Sequence, residues 1–306
     1  MKGKITTHEL NYTPPLDWAF FLHYLGTRAT AGVEAVEGER YVRTFALGKA
    51  VGTLTLSHHP TDTRLLVTIR GNVGTQTETI LGRVRRMFDL DIDLSSVHAV
   101  LGIDPHLAPL LAASPGVRVL GAWSPFELLV RTIVGQQVTV KAATTIMGRI
   151  ASRLGKPVDA LNQGGPLFLF PTPRALADGN LEAIGMPSKR VLTLQNVAQA
   201  IADMTIPFPE PDNGNLDGVK EALLKMPGIG PWTVEYFALR ALRDADAWPG
   251  TDLVLRRILE QHESAYPPID TDRWRPYRGY AAVHLWNKAS QEQRNNSTGN
   301  VNNAKP

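Results

Sequence analysis

The residue of this chain best placed to do electrostatic or acid–base chemistry is Asp252, which ends the run Trp248-Pro249-Gly250-Thr251-Asp252. Pro249 and Gly250 read as loop, and Leu253-Val254-Leu255-Arg256-Arg257 opens a helical pattern, so Asp252 falls at a helix N-cap. A carboxylate there accepts backbone N–H groups, and the helix dipole favours its negative charge. Taken alone this describes a plain cap. Capping and catalysis are compatible, however, because a fixed anion beside a cleft stabilises positive charge that develops in a transition state.

Upstream stands Leu223-Leu224-Lys225-Met226-Pro227-Gly228-Ile229-Gly230-Pro231-Trp232-Thr233-Val234-Glu235-Tyr236. Helix, Pro-Gly-Ile-Gly, helix is the layout of a helix-hairpin-helix. Gly228 and Gly230, on either side of Ile229, permit positive φ and leave backbone N–H groups unshielded. Those groups sit at the start of the next helix, where an anion such as a nucleic-acid phosphate is favoured and is held without regard to base sequence. An ordinary helix–helix turn is the alternative, although Pro-Gly-Ile-Gly-Pro-Trp is more constrained than a turn requires. Trp232 and Tyr236 are four residues apart and share a helix face, as either a core stripe or a pocket wall demands.

The elements that must position these residues divide the chain in two, giving an α+β fold class. Over residues 1–99 we expect a small antiparallel sheet with helices on one face. Strands are predicted at 41–47 and 50–56, joined by Gly48-Lys49, and at 64–69; helices fall at 17–25 and 77–90. Over residues 100–287 the pattern is all-helical. Ser124-Pro125-Phe126-Glu127 is a helix start with Ser as cap, and further helices are predicted at 138–154, 188–204, 216–226, 232–242 and 253–262. Residues 288–306 are Asn/Ser/Gln-rich without periodicity and are expected to be disordered.

Composition narrows the chemistry. The 306 residues include no Cys, which removes thiol catalysis, disulfides, cysteine-ligated zinc and iron–sulfur clusters. The eight His are scattered, and His58-His59 lies at a strand end without ligand spacing, so no metal and no cofactor is expected. No phosphate-cradling GxxxxGK[ST] or GxGxxG occurs where a strand meets a helix. A net charge of +3 suits an anionic partner without specifying one. The opening lacks an apolar run and no stretch is long and apolar enough for a membrane span, so the reading is a cytoplasmic monomer.

The spacing between the hairpin and Asp252 resembles the helix-hairpin-helix superfamily of base-excision DNA glycosylases, and within it the bacterial DNA-3-methyladenine glycosylase II family. The matching stretches run along almost the whole chain: Pro14-Pro15-Leu16-Asp17-Trp18, Phe88-Asp89-Leu90, Arg131-Thr132-Ile133-Val134-Gly135-Gln136, Phe170-Pro171-Thr172-Pro173, Gly185-Met186-Pro187-Ser188-Lys189-Arg190, the hairpin, Tyr236-Phe237-Ala238-Leu239-Arg240, and Trp274-Arg275-Pro276-Tyr277-Arg278-Gly279-Tyr280-Ala281. The resemblance implies that Asp252 is the catalytic carboxylate and that Trp232, Tyr236 and Trp286 line a base pocket. It implies DNA contacts at Gly228, Ile229, Gly230 and Gln136. Gln137 stands where family members carry an apolar wedge, a departure that reduces stacking in the gap left by a flipped nucleotide. Trp232 stands where the strand-cleaving branch carries Lys, so the implied enzyme is monofunctional and its partner is duplex DNA with alkylated bases. A glycosylase for oxidised bases and a non-catalytic DNA-binding repair factor are the alternatives.

Overall fold

A computed structural model of the chain describes residues 4–59, 61–158, 168–206, 208, 216–261 and 268–302. Its N-terminal part is a five-stranded antiparallel sheet, β1 (Lys4–Asn11), β2 (Glu34–Glu37), β3 (Arg40–Leu47), β4 (Ala50–His58) and β5 (Arg64–Asn72), in the order β1-β5-β4-β3-β2. Gly48, at φ +57°, makes the β3–β4 hairpin turn as its position predicts. Burial alternates with period two along β4 and β5, and the covered face carries Leu54, Leu56, Leu65, Val67 and Ile69. Against it pack α1 (Trp18–Arg28), capped by Asp17, and α2 (Thr77–Met87). The edge strands β1 and β2 escape sequence reading. One is largely polar on both faces and the other has only four residues, so neither carries an alternating apolar signal.

The helices that follow build two further cores. The first joins α5 (Pro125–Val134), α6 (Val140–Leu154), α7 (Pro173–Asp178), α8 (Ser188–Ala202), α9 (Leu216–Leu224) and α10 (Pro231–Phe237). The second joins α3 (Leu94–Leu101), α4 (Ala108–Ala113), α11 (Leu253–Gln261) and α12 (Arg278–Asn302). A π turn, Ala238–Leu242, prolongs α10 and contributes Ala238 and Leu239 to the second core and Ala241 to the first. Ser124 caps α5 through the Glu127 N–H, and Thr139 caps α6. The helix predicted over 253–262 is present to Gln261; His262 lies outside the described residues. The short helices α3, α4 and α7 carry too few turns for a periodic stripe and were not expected.

The expected disorder from residue 288 onward is corrected by α12, which continues to Asn302. Its first half is anchored by Tyr280, Ala281, Ala282, Val283 and Leu285, and burial reaches Ala289. A helix already nucleated extends one hydrogen bond per residue, so polar residues that could not start a helix can prolong one. Residues 303–306, the end of the expected tail, lie outside the described residues.

Several ionisable side chains lie deep in this framework, among them Arg43, Glu127 and His284. Arg43 on β3 donates to Glu127 of α5 at 2.8 Å, beside Glu34 and Trp123, and joins the sheet to the first helical core. Burial pushes the Glu127 carboxyl up even though Arg43 pulls it down. His284 of α12 is 2% exposed, and among the described residues neither ring nitrogen has a hydrogen-bond partner. Burial, and then the neighbouring His98, lower it to about 4. An imidazole with a folded pKa below its unfolded value of about 6.5 adds stability above that value and loses it as pH falls through the folded pKa. The chain should therefore lose ~3 kcal/mol of unfolding free energy between about pH 6.5 and pH 4 through this group. Urea melts across that window should show a smaller loss for His284→Leu; an identical slope in parent and variant would rule the buried imidazole out.

Candidate active site

Asp252 caps α11: its Oδ1 accepts the N–H groups of Val254 at 2.9 Å and Leu255 at 3.1 Å. The loop before it is fixed from outside. The Trp248 N–H donates to Glu235 of α10 at 3.0 Å, and Glu235 is in turn paired with Lys220, which also binds Asp244 at 2.6 Å. Arg278 clamps Asp246 at 2.8 Å, and the Asp252 N–H closes the last turn onto Pro249 O at 2.8 Å. A carboxylate on a loop thus acquires the fixed position that a helix residue would have.

Two indoles grip this carboxylate. Trp232 of α10 donates to Oδ2 and Trp286 of α12 to Oδ1, each from Nε1 at 3.0 Å. Tyr236 stacks on Trp232, with ring centroids 5.4 Å apart and planes at 19°, and meets Trp286 edge-on at 5.8 Å. The four residues singled out from the sequence therefore form one half-buried cluster, an aromatic cage with a carboxylate on its wall. Oδ1 carries three donors and Oδ2 one, so among the described residues Oδ2 is the oxygen with room for a further partner.

Two members of the cage went unassigned in the sequence. Tyr24 of α1 brings its hydroxyl within 2.8 Å of the Tyr236 hydroxyl, so the sheet domain supplies one wall. Arg240, four residues after Tyr236, lies 3% exposed, 4.4 Å from the Tyr24 ring centroid, 5.1 Å from that of Tyr236 and 5.7 Å from that of Trp286. The spacing Trp232, Tyr236, Arg240 on one helical face was a readable signal for the arginine; nothing local in α1 marks Tyr24. Burial pushes Tyr236 up to about 12, against the pull of Arg240. Burial opposes ionisation of Tyr24 too, yet Arg240 and Arg28 on its ring draw it below the ordinary phenol range.

The hairpin residues are less uniform than their sequence suggests. Gly228, at φ +87°, is a glycine by necessity, because a Cβ would also collide with the Thr193 side chain. Gly230 has an extended backbone, φ −104°, and open space where a Cβ would sit. Ile229 points into the first helical core and its N–H already donates to Met226 O at 3.1 Å, so its side chain is placed for packing. The donors left include the N–H groups of Gly230, Trp232 and Thr233; Pro231 has none, and the Val234 N–H already bonds Gly230 O at 3.2 Å. Gln136 binds the hairpin directly, donating to Gly228 O and Thr233 Oγ1 at 3.1 Å each. Gln137 is exposed at φ +56° at the tip of the loop between α5 and α6, held next to the hairpin by its neighbour. Among the described residues no three His, Asp or Glu side chains converge in a way that would hold a metal ion, and no helix is long and apolar enough to cross a membrane.

Comparison with known proteins fits this geometry. Residues 7–124 match the AlkA N-terminal domain, and residues 130–273 match the HhH-GPD superfamily of base excision DNA repair proteins. DNA-3-methyladenine glycosylase 2 of Escherichia coli is 33% identical over 282 residues, covering 91% of this chain and 96% of that protein. DNA-3-methyladenine glycosylase of Bacillus subtilis is 27% identical over 224 residues, 68% of this chain and 72% of that protein. The 3-methyladenine DNA-glycosylase from Archaeoglobus fulgidus shares the fold at a TM-score of 0.74 and 18% identity, over 91% of this chain and 96% of that one. The 8-oxoguanine glycosylase/lyase of Clostridium acetobutylicum, solved with double-stranded DNA, shares it at 0.68 and 17%, over 96% and 100%. The chain belongs to the HhH-GPD superfamily of base excision DNA repair proteins, and within it to the family of DNA-3-methyladenine glycosylase 2.

Proposed function

We propose that this protein is a monofunctional DNA glycosylase that hydrolyses the N-glycosidic bond of alkylated bases flipped out of duplex DNA. The observation that carries the reading is the pair of indole N–H groups of Trp232 and Trp286 on the carboxylate of Asp252, which makes cage and carboxylate one rigid site. A base inside the stack is out of reach, so the nucleotide must be extruded, at a cost of roughly a few kcal/mol that damage lowers. The cage rings stack on the extruded base. As the bond breaks, positive charge appears on the sugar, and Oδ2 faces it or orients the attacking water. The N–H groups of Gly230, Trp232 and Thr233 take a phosphate, while Gln136 and Gln137 approach the gap left in the duplex.

The monofunctional reading rests on Trp232, since an indole cannot condense with a sugar aldehyde. Lys225, the nearest lysine in sequence, is exposed just beyond the end of α9. The partner is double-stranded DNA with alkylated bases, and the protein acts as a monomer.

Asp252→Asn keeps an acceptor for the helix cap but turns a donor toward one of the indoles and removes the charge. Single-turnover release of 7-methylguanine should fall roughly 100- to 1,000-fold, with affinity for undamaged duplex within about twofold. Turnover within a few-fold of the parent would show that the carboxylate is only a cap and would leave a non-catalytic DNA-binding factor as the better reading. Gly230→Val adds bulk in open space and should weaken binding to duplexes of any sequence by about tenfold without lowering the melting temperature. Gly228→Val, by contrast, should lower stability first; unchanged affinity of a stable Gly230 variant would reduce the hairpin to a turn. Finally, borohydride added during turnover should trap no covalent protein–DNA band. A band that disappears on replacing a single lysine would move the chemistry to an amine nucleophile.

A further inference from the structure

Among the described residues, Arg240 is a buried cation in unusual surroundings. Its side chain is 3% exposed, and among the described residues it faces no carboxylate. One Nη donates to Leu120 O at 2.8 Å, while Nε is buried without a partner. A guanidinium does not shed its proton, and here the Leu120 carbonyl and the Tyr236 hydroxyl, both uncharged, stand where a buried arginine ordinarily meets a carboxylate. The faces of Tyr24, Tyr236 and Trp286 are its main company. Those are the rings of a cage that, on the glycosylase reading above, receives a positively charged base. A resident cation at the inner end of the cage spends the rings' attraction before the base arrives.

We infer that the buried guanidinium of Arg240 serves departure of the base rather than its binding, by stabilising through the cage rings the electron pair that the base takes with it. This deepens the glycosylase reading and rests on it. When the C1′–N bond breaks, its electron pair leaves on the base, and the sugar, one charge more positive, is captured by water, whose proton passes to solvent by way of Asp252. The base becomes one charge more negative: a cationic alkylated purine leaves neutral. A fixed positive charge beyond the rings therefore repels the cationic base while it is bound and ceases to repel it as the bond breaks. Asp252 is held by the Trp232 and Trp286 N–H groups and Arg240 lies against the Tyr24, Tyr236 and Trp286 rings, so for a base whose sugar meets Asp252 the departing electrons move toward the guanidinium. The guanidinium acts through Tyr236 and Trp286 and touches no substrate atom, which makes it a positioning residue. A merely structural arginine, holding the Leu120 carbonyl and packing the rings, would make a different prediction.

The test separates rate from affinity. With a 7-methylguanine duplex, Arg240→Met should slow single-turnover release roughly 10- to 50-fold, the effect of one unit charge at several ångströms in a medium of intermediate dielectric. The same variant should bind the non-hydrolysable 2′-fluoro-7-methylguanine duplex more tightly than the parent does, with undamaged duplex unchanged. Arg240→Lys, which keeps the charge but not the planar fork, should release the base faster than Arg240→Met by about fivefold or more. Release within about threefold of the parent in a folded Arg240→Met, or loss of rate and affinity together, overturns the inference in favour of packing. A parent that releases no 7-methylguanine would sink the glycosylase reading itself, so the two failures are distinguishable. If the methionine variant does not fold, the parent decides by tryptophan fluorescence. The 7,9-dimethylguaninium cation should bind no more than about threefold more tightly than neutral 9-methylguanine, whereas a preference of about tenfold or more, as for an unoccupied aromatic cage, overturns the inference.

Discussion

Every face of the helix that begins at Pro231 is committed, and that commitment organises the molecule. Val234, Phe237 and Ala241 belong to one helical core, and Ala238 and Leu239 to the other. The side chains left over, Trp232, Tyr236 and Arg240, fall on the remaining stripe and become the site. The π turn over Ala238–Leu242 widens the helix just where it changes allegiance from one core to the other, a place where such insertions commonly accompany function. The N-terminal end of the same helix is the open edge of the hairpin, so backbone donors for a phosphate and ring faces for a base are held at a fixed separation by one rod.

The carboxylate is fixed by different means. Asp252 follows a loop, and loops seldom give sub-ångström placement without help. Here the help is ionic and local: Glu235, Lys220, Asp244, Asp246 and Arg278 pair among themselves around the loop, and the two indoles finish the alignment. These pairs are partly exposed, so their worth lies in positioning more than in stability.

How much of this was readable in advance follows from the range of each signal. The cap at Asp252, the hairpin glycines and the pair Trp232 and Tyr236 are set by residues within a few positions of each other, and the sequence shows them directly. The link from Asp252 to Trp286, 34 residues away, came only from resemblance to a family, because nothing local ties an indole in α12 to a loop before α11. Tyr24 lies 212 residues from its partner and was invisible for the same reason. Ile229 and Gly230 look alike as hairpin residues, yet one packs inward and the other opens to solvent, a distinction that only packing makes. The polar continuation of α12 misled because composition describes what a segment can start, not what a neighbouring turn can impose on it.

The hydroxyl contact between Tyr24 and Tyr236 means that the pocket has no complete wall until two separately built cores have docked. A chain whose hairpin helices are in place while α1 is undocked presents phosphate donors, yet lacks the Tyr24 wall against an extruded base. Through Tyr24 on α1, the N-terminal part of the chain, remote in sequence from the loop before α11, enters the wall of the cage.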